Sequence, residues 1–359
     1  MFAFWQIAIA PLIEAVRARR LVVIGPIVDE QVEQMLDRLG PGTELHLIDP
    51  RAAAAPPHLA QAGSDRCFFH PGLSLDVLPA LPPADVALID GDHNWYTVFH
   101  ELELLSATAL EADRPRPVFV VPNVTWPYGH RDLYYDPARI PERYRQPHGR
   151  GGMHPDRPGL LPAGGLNESL HHAEQAGGPR NGVLSALEDF VATVDRPLQQ
   201  VVLPFAYGLA IVAEHGLVDA TPALADLLVQ LESAEGREEQ LRVSERVRID
   251  AAIFEHNWVR LLRRRIEQGA GRYLDLVKSA LLDEHYLDNE VRLEYLASLP
   301  AGATPDLSVL RDPPRLLPVR FQKLVRARQA GRSPDERRNV AYFPFTSMSR
   351  AQIEHLRAA

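Results

Sequence analysis

Five short apolar runs in the first 122 residues constrain the fold of this chain more than any other feature. Each run is continuously apolar rather than alternating, and helical stretches separate one run from the next. Strands have this pattern when helices cover both faces of a parallel sheet. The runs are LVVIG (21–25), ELHLID (44–49), RCFFH (66–70), DVALID (85–90) and PVFVVP (117–122). They predict a doubly wound α/β sheet.

Two more apolar stretches, QQVVLPF and YGLAIVAEH, follow a helical run and are separated by little more than a turn. Strands joined so tightly are antiparallel neighbours. The pattern therefore predicts a Rossmann-like sheet of seven strands. Residues 126–180 interrupt it with a Pro-, Gly- and His-rich segment that has no regular periodicity. An insertion of this length is typical of a lid or a binding loop, so we expect an irregular substrate cover.

Helix signals replace strand signals after the sheet. Apolar side chains at helical spacing, from Leu224 to Leu261, are followed by a second predicted helix over 273–299. This stripe favours a core or a homodimer interface. The predicted organisation is an α/β domain (1–220), a helical extension (221–300), and a Pro-rich, basic linker with a short C-terminal helix (301–359).

Composition narrows the classes of function. The chain of 359 residues has a net charge of −9, which argues against a nucleic-acid partner. A lone cysteine, Cys67, excludes a disulfide framework and a thiolate metal site. The N-terminal run FAFWQIAIAPLI is too short to span a bilayer and lacks a basic start, so we expect a helix packed on the sheet, no membrane anchor and a cytoplasmic location.

The segment VALIDGDHNWYTVFHE (86–101) carries the candidate catalytic groups. Asp90, Asp92 and His93 follow the fourth strand, and groups at the carboxyl ends of such strands face the ligand crevice. His93 is the predicted general base, because an imidazole titrates near neutral pH, and Asp92 is predicted to assist it. The alternative is that His93 orients Asp90 or caps the following helix.

Three residues are predicted to bind a cofactor. Asp49 ends the second strand, where a carboxylate can accept hydrogen bonds from ribose hydroxyls; a turn Asp before Pro50 is the alternative. Gly25 permits a tight turn and close approach to a ligand, and Asp90 lies at the neighbouring strand end. Asn123, after the fifth strand, and Asp90 also offer oxygen donors for a weak Mg²⁺ site, with Asp92 as a third.

The insertion contains the sequence WPYGHRDLYYDP, which is dense in aromatic rings and hydrogen-bond donors. Such groups suit a sugar ring, and substrate contacts are predicted for Tyr128, His130, Arg131 and Tyr134. The alternative is a rigid loop in which Arg131 and Asp132 pair. Histidines are frequent here but lack His-x-x-x-His spacing, so a zinc centre is not expected.

With these motifs in place, residues 2–214 resemble the class I S-adenosylmethionine-dependent methyltransferases of sugar and glycosylated natural-product pathways. The most specific matches are DGDHNWYTV (90–98), VTWPYGHRDLYYDPARIP (124–141) and GGPRNGVLSALEDF (177–190). The resemblance implies S-adenosylmethionine as cofactor and methyl transfer to a sugar hydroxyl of a saccharide or glycosylated metabolite. SALLDEHYLDNEVRLEYL (279–296) looks like the connector to a second module of the macrocin O-methyltransferase type, and YFPFTSMSRAQIEHL (342–356) looks like its entrance.

The chain departs from the family at two strand ends. The first strand of the family ends in an acidic residue two positions before glycine, where this chain has Val23. The metal-dependent relatives have an acidic or Asp-Asn pair after the fifth strand, where this chain has Pro122 and Asn123. These differences motivate a second hypothesis, a domain without catalysis that partners a separate methyltransferase module. A nucleotide-sugar enzyme is disfavoured because no G-x-G-x-x-G follows the first strand.

Overall fold

The computed structural model describes residues 2–26, 42–50 and 66–281, with positions 32, 35–36, 39–40, 299–300 and 302–304. Contacts divide the chain into two units, Met1–Ala251 and Ala252–Ala359. The predicted connector and the linker with its C-terminal helix lie almost wholly outside the described residues. The sheet and the candidate site belong to the first unit.

A seven-stranded mixed sheet is the framework of the first unit. Its spatial order is β3-β2-β1-β4-β5-β12-β11, in which β1 to β5 are parallel and β12 runs antiparallel to both of its neighbours. The strands are β1 (Arg20–Ile24), β2 (Glu44–Ile48), β3 (Cys67–His70), β4 (Val86–Ile89), β5 (Val118–Pro122), β11 (Leu198–Leu203) and β12 (Leu209–Glu214). The predicted Rossmann-like sheet of seven strands is confirmed.

Apolar cores cover both faces of this sheet, which is why its strands are continuously apolar. In β1, Leu21 and Val23 join one core, whereas Val22 and Ile24 join the other. The N-terminal run packs into the first core as predicted, through a 3₁₀ turn (Phe2–Phe4), a π-helical segment (Trp5–Ile9) and α1 (Ala10–Val16).

Helices cover the face of the sheet to which Val22 and Ile24 contribute, here called the second face, and they position the candidate site. The short α2 (Ser74–Val77) follows β3, α3 (Trp95–Glu111) follows β4, and α4 (Val183–Thr193) packs beside α3. Asn94 caps α3 by accepting a hydrogen bond from the Thr97 amide at 2.8 Å. The chain therefore leaves β4 through a short loop, 90–94, and enters a firmly anchored helix.

The insertion is more regular than its sequence predicts, and the expectation of an irregular segment is wrong in this respect. It contains β6 (Leu133–Tyr134), β7 (His148–Arg150), β8 (Gly152–His154), β9 (Arg157–Leu161) and β10 (His171–Ala173), arranged as two small antiparallel sheets. Strands of two to five residues are too short to show alternation, and their partners are distant in sequence. Pairing still satisfies their buried backbone groups.

The helical extension contains α5 (His215–Ala220), α6 (Pro222–Glu232) and α7 (Ala234–Leu281). The prediction of a separate helix from residue 273 is wrong, because α7 continues through that position to Leu281. The sequence of α7 contains no proline that would end the helix, and each of its glycines reduces helix stability by only about 1 kcal/mol. Phe254, Trp258 and Ile266 are exposed on α7, and the homodimer stays a prediction. Among the described helices, none combines the length and apolarity needed to cross a membrane.

Candidate active site

A cleft of about 290 Å³ opens at the carboxyl ends of the central parallel strands. Its lining includes Gly25 after β1, Asp49 after β2, and Gly91 with Asp92 after β4. In open α/β sheets this edge is the ligand-binding edge. The structure therefore brings together two of the three predicted cofactor residues and one predicted catalytic residue.

Gly25 is required by the backbone geometry at the base of the cleft. The Asp90 amide donates to the Ile24 carbonyl at 2.8 Å, and the Gly25 amide donates to the Ile48 carbonyl at 3.0 Å. Gly25 has φ +135°, and a Cβ at this position would overlap the Asp90 carbonyl. Only glycine adopts this conformation readily and lets the two strand ends stay in contact.

Asp49 and Val23 lie on different sides of the strand ends. Asp49 is largely buried and lines the cleft, as the ribose prediction requires. Val23 is 4% exposed and packs in the apolar core with Leu21. Val23 therefore does not fill the cleft, and Ile24, Gly25 and Pro26 form its lining from this strand end.

Asp90, Asn123 and His93 form a hydrogen-bonded cluster beside the cleft. Asn123 Nδ2 donates to Asp90 Oδ1 at 3.2 Å and lies 3.4 Å from His93 Nε2. Burial raises the pKa of Asp90, although His93 and Asn123 oppose the rise. Burial lowers the pKa of His93, against the effect of Asp90. A neutral imidazole, the form that accepts a proton, is therefore favoured at neutral pH.

The same cluster does not fit a magnesium ion. Asn123 directs its side-chain nitrogen, a hydrogen-bond donor, at Asp90 Oδ1, so the two side chains do not turn their oxygens toward a common ion. Asp92, the third candidate, instead accepts a hydrogen bond from Thr97 Oγ1 at 3.1 Å and lines the cleft. In the described part of the chain, no group of three or more His, Cys, Asp or Glu side chains is placed to hold a metal.

Two tyrosines of the insertion lie against His93. The ring of Tyr128 is 5.3 Å from the imidazole, and its hydroxyl accepts a hydrogen bond from Asn167 Nδ2 at 2.6 Å. The ring of Tyr135 is 6.4 Å from the imidazole, is 55% exposed and lines the cleft. These contacts connect the general-base candidate to the cleft.

Three other predicted substrate residues contact the insertion itself or α4. Arg131 is buried and donates to the carbonyls of Ala173 and Pro158. The Tyr134 hydroxyl donates to Asp132 at 2.7 Å, and His130 Nδ1 lies 2.9 Å from Ser185 Oγ. Substrate contact stays a prediction for all three, and their hydrogen bonds describe a structural role.

Asp132 joins the insertion to the second face of the sheet. Its carboxylate accepts hydrogen bonds from the Trp95 amide at 2.7 Å, the Gly182 amide at 2.6 Å and the Tyr134 hydroxyl at 2.7 Å. Burial raises its pKa to about 6, although these donors oppose the rise. The starts of α3 and α4 and the strand β6 thus share one acceptor.

Replacing Asp132 with alanine is expected to lower the free energy of unfolding by about 2–3 kcal/mol, because buried donors lose their acceptor. Asp132→Asn, which keeps an acceptor oxygen, should cost less. Chemical denaturation followed by tryptophan fluorescence measures both. The control is Asp156→Ala, an exposed carboxylate of the same insertion, with an expected change within about 0.5 kcal/mol. Equal stability of the two alanine variants would contradict this role.

The sequence-based reasoning missed Glu101, Ser74 and Arg139, which also line the cleft. Glu101 is wholly buried on α3, and burial raises its pKa to about 8. One signal was present: Glu101 lies at helical spacing between Thr97 and Leu105, on the buried stripe of α3. An acidic residue on such a stripe is unusual unless it has a partner or a ligand.

Comparisons with known proteins give similarity to solved structures only; the sequence matches no family model and no curated protein. A Staphylococcus aureus protein assigned as a caffeoyl-CoA O-methyltransferase is 13% identical, covering 57% of this chain and 80% of its own (TM-score 0.36). The O-methyltransferase TomG from Streptomyces achromogenes is 20% identical, covering 57% and 78% (TM-score 0.34). Human N-acetylserotonin methyltransferase is 15% identical, covering 57% and 50% (TM-score 0.32). These low scores add no argument about the activity of this chain.

Proposed function

We propose that this chain is a cytoplasmic S-adenosylmethionine-dependent O-methyltransferase that acts on a sugar hydroxyl of a saccharide or glycosylated metabolite. One observation carries the proposal: the cleft at the strand ends combines Gly25 and Asp49 with the Asp90–Asn123–His93 cluster on its border. The first two residues suit a nucleoside, and the cluster supplies a base. Methyl transfer to a hydroxyl requires both functions, namely binding of the methyl donor and removal of the hydroxyl proton.

The charge of the cleft supports a cationic ligand. Its described lining includes the carboxylates of Asp49, Asp92 and Asp136 against one guanidinium, Arg139; Glu101, which burial keeps mostly protonated at neutral pH, adds no net charge. Arg139 Nε donates to Asp136 at 3.1 Å, so its charge is already paired. A ligand with sulfonium and ammonium groups is attracted to such a cleft, whereas a diphosphate is repelled. This favours S-adenosylmethionine over a nucleotide sugar.

Proton transfer is assigned to His93. When bound, S-adenosylmethionine supplies the methyl group on a positively charged sulfur. His93, neutral because burial lowers its pKa, takes the proton of the attacking hydroxyl at Nε2 in exchange for the 3.4 Å contact of that nitrogen with Asn123 Nδ2, and nearby Asp90 stabilises the resulting imidazolium. The rings of Tyr128 and Tyr135 lie near the imidazole and are suited to pack on a sugar ring. Positioning of the hydroxyl lowers most of the barrier.

Calorimetric titration with S-adenosylhomocysteine tests the cofactor assignment. We expect micromolar binding by the full chain and at least about tenfold weaker binding by Asp49→Ala, because two hydrogen bonds from ribose lose their acceptor. Asp156→Ala, far along the insertion from the strand ends, serves as the control and should bind like the unmodified chain. No heat at high micromolar ligand would count heavily against the proposal.

A second candidate is a methyltransferase-like partner without catalysis, which assists a separate methyltransferase module. The observation that favours it is the buried Val23, since it leaves the first strand end without a carboxylate. Co-purification with a module that needs this chain for activity would support it. Turnover of a saccharide acceptor by the isolated chain would remove it.

A further inference from the structure

One carboxyl group in the cleft has no role in the proposed reaction. Glu101 is 0% exposed, and neither of its oxygens makes a hydrogen bond to the described residues. The Ser74 hydroxyl is close enough to act as a donor and lowers the pKa of this carboxyl group, whereas the carboxylate of Asp92 raises it. A buried carboxyl group without a partner costs several kcal/mol relative to a paired one, so its retention in a ligand cleft points to a partner in the ligand.

The position of Glu101 in the cleft indicates which part of the ligand it would contact. Its Oε1 lies 3.9 Å from the point where a Cβ on Gly91 would stand. Ser74, its neighbour, begins α2 directly after β3, while the Asp90–His93 cluster borders β5 through Asn123. The sheet order places β3 and β5 on opposite sides of β1. Glu101 therefore reaches from the loop after β4 toward Ser74, at the β3 end of the cleft.

This end of the cleft is suited to a flat base. Ile24, Ile48 and Leu73 supply apolar side chains to its lining. Asp49, the candidate ribose ligand, lies at the end of β2, between β1 and β3 in the sheet order. A nucleoside that places its ribose at Asp49 and its reactive group toward His93 has its base on the Glu101 side.

We infer that Glu101 accepts a hydrogen bond from the exocyclic amino group of the bound base and thereby selects adenine over purines without that amino group. The inference rests on the proposed function. A carboxyl oxygen accepts this hydrogen bond whether or not the group is ionised. A base without the amino group leaves Glu101 buried and unpaired, which is the arrangement that gives strong discrimination.

The test compares two ligands, S-adenosylhomocysteine and its analogue with hydrogen in place of the amino group, by calorimetry on the full chain. We expect the unmodified protein to prefer the adenosyl ligand by at least tenfold. Glu101→Met, similar in size but without a carboxyl acceptor, should lose the preference, whereas Glu101→Gln, which keeps an oxygen acceptor, should retain most of it. Glu103→Gln, an exposed acid on the same helix, is the matched control and should leave the ratio unchanged.

The ratio separates recognition from a structural role, because a structural defect weakens both ligands alike. An unchanged ratio in Glu101→Met, with the unmodified protein still binding S-adenosylhomocysteine, would overturn this inference and leave the proposed function standing. Failure of the unmodified protein to bind either ligand would overturn both.

Discussion

Replacing Gly25 with alanine is expected to abolish detectable binding of S-adenosylhomocysteine and to lower the free energy of unfolding by about 2–5 kcal/mol. The new methyl group would overlap the Asp90 carbonyl, and φ at this position is +135°. Strain at such a dihedral and overpacking between strands each cost about 1–3 kcal/mol. Relief of the overlap would separate the ends of β1 and β4, which border the cleft.

The matched control is Gly42→Ala. A Cβ at Gly42 meets no atom within 4 Å, and this glycine precedes β2 at its opposite end from the cleft. We expect near-normal stability and binding for this variant. Urea denaturation and calorimetry measure both quantities. Normal ligand binding by Gly25→Ala would show that the strand ends tolerate separation and that the cleft is not the ligand site.

Raising the pH from 5 to 9 is expected to destabilise the protein through Glu101. Its pKa rises from 4.5 to about 8 in the folded chain because burial disfavours the ionised form. Between these values the folded state binds more protons than the unfolded state, so stability falls as pH rises through this window. A pKa difference of this size corresponds to an upper limit on the order of 4–5 kcal/mol.

Glu101→Gln isolates this contribution because it has no titratable group at that position. Other groups titrate in both proteins, so the informative quantity is the difference in unfolding free energy between the two proteins at each pH. We expect the variant to gain stability relative to the unmodified chain as pH increases from 5 to 9. Glu111→Gln, an exposed acid at the end of the same helix, should follow the unmodified chain throughout. If the unfolding free energies of Glu101→Gln and the unmodified chain changed in parallel with pH, the pKa of Glu101 would not be raised in the folded chain.

The sheet could be predicted because each strand is identified by the apolar pattern of a few neighbouring residues. Continuous apolar runs indicate strands that are buried on both faces, and β1 divides its side chains between two cores as expected. The placement of Asp49 and Asp92 in a common cleft follows from the same rule, since parallel strands end at one edge. No packing detail was needed for these conclusions.

The structure of the insertion could not be predicted from neighbouring residues. Arg131 and Tyr134 are residue types that often bind ligands. In the folded chain, however, Arg131 donates to the carbonyl of Ala173, far along the chain, and Tyr134 donates to the buried carboxylate of Asp132. Strands as short as β6 carry no detectable pattern and form only because β10 lies beside them. Whether a polar side chain binds a ligand or holds a loop is decided by such distant partners.

The amino-acid sequence alone predicted a seven-stranded sheet with a terminal antiparallel pair, the sheet edge that carries the candidate site, and the carboxylates and histidine at that edge. Tertiary structure alone decided that Val23 lies in the core rather than the cleft, that Asn123 bonds to Asp90, and that Glu101 reaches the cleft from α3. The reason is physical: strand formation depends on neighbouring residues, whereas burial and hydrogen bonding of a side chain depend on what the folded chain brings against it.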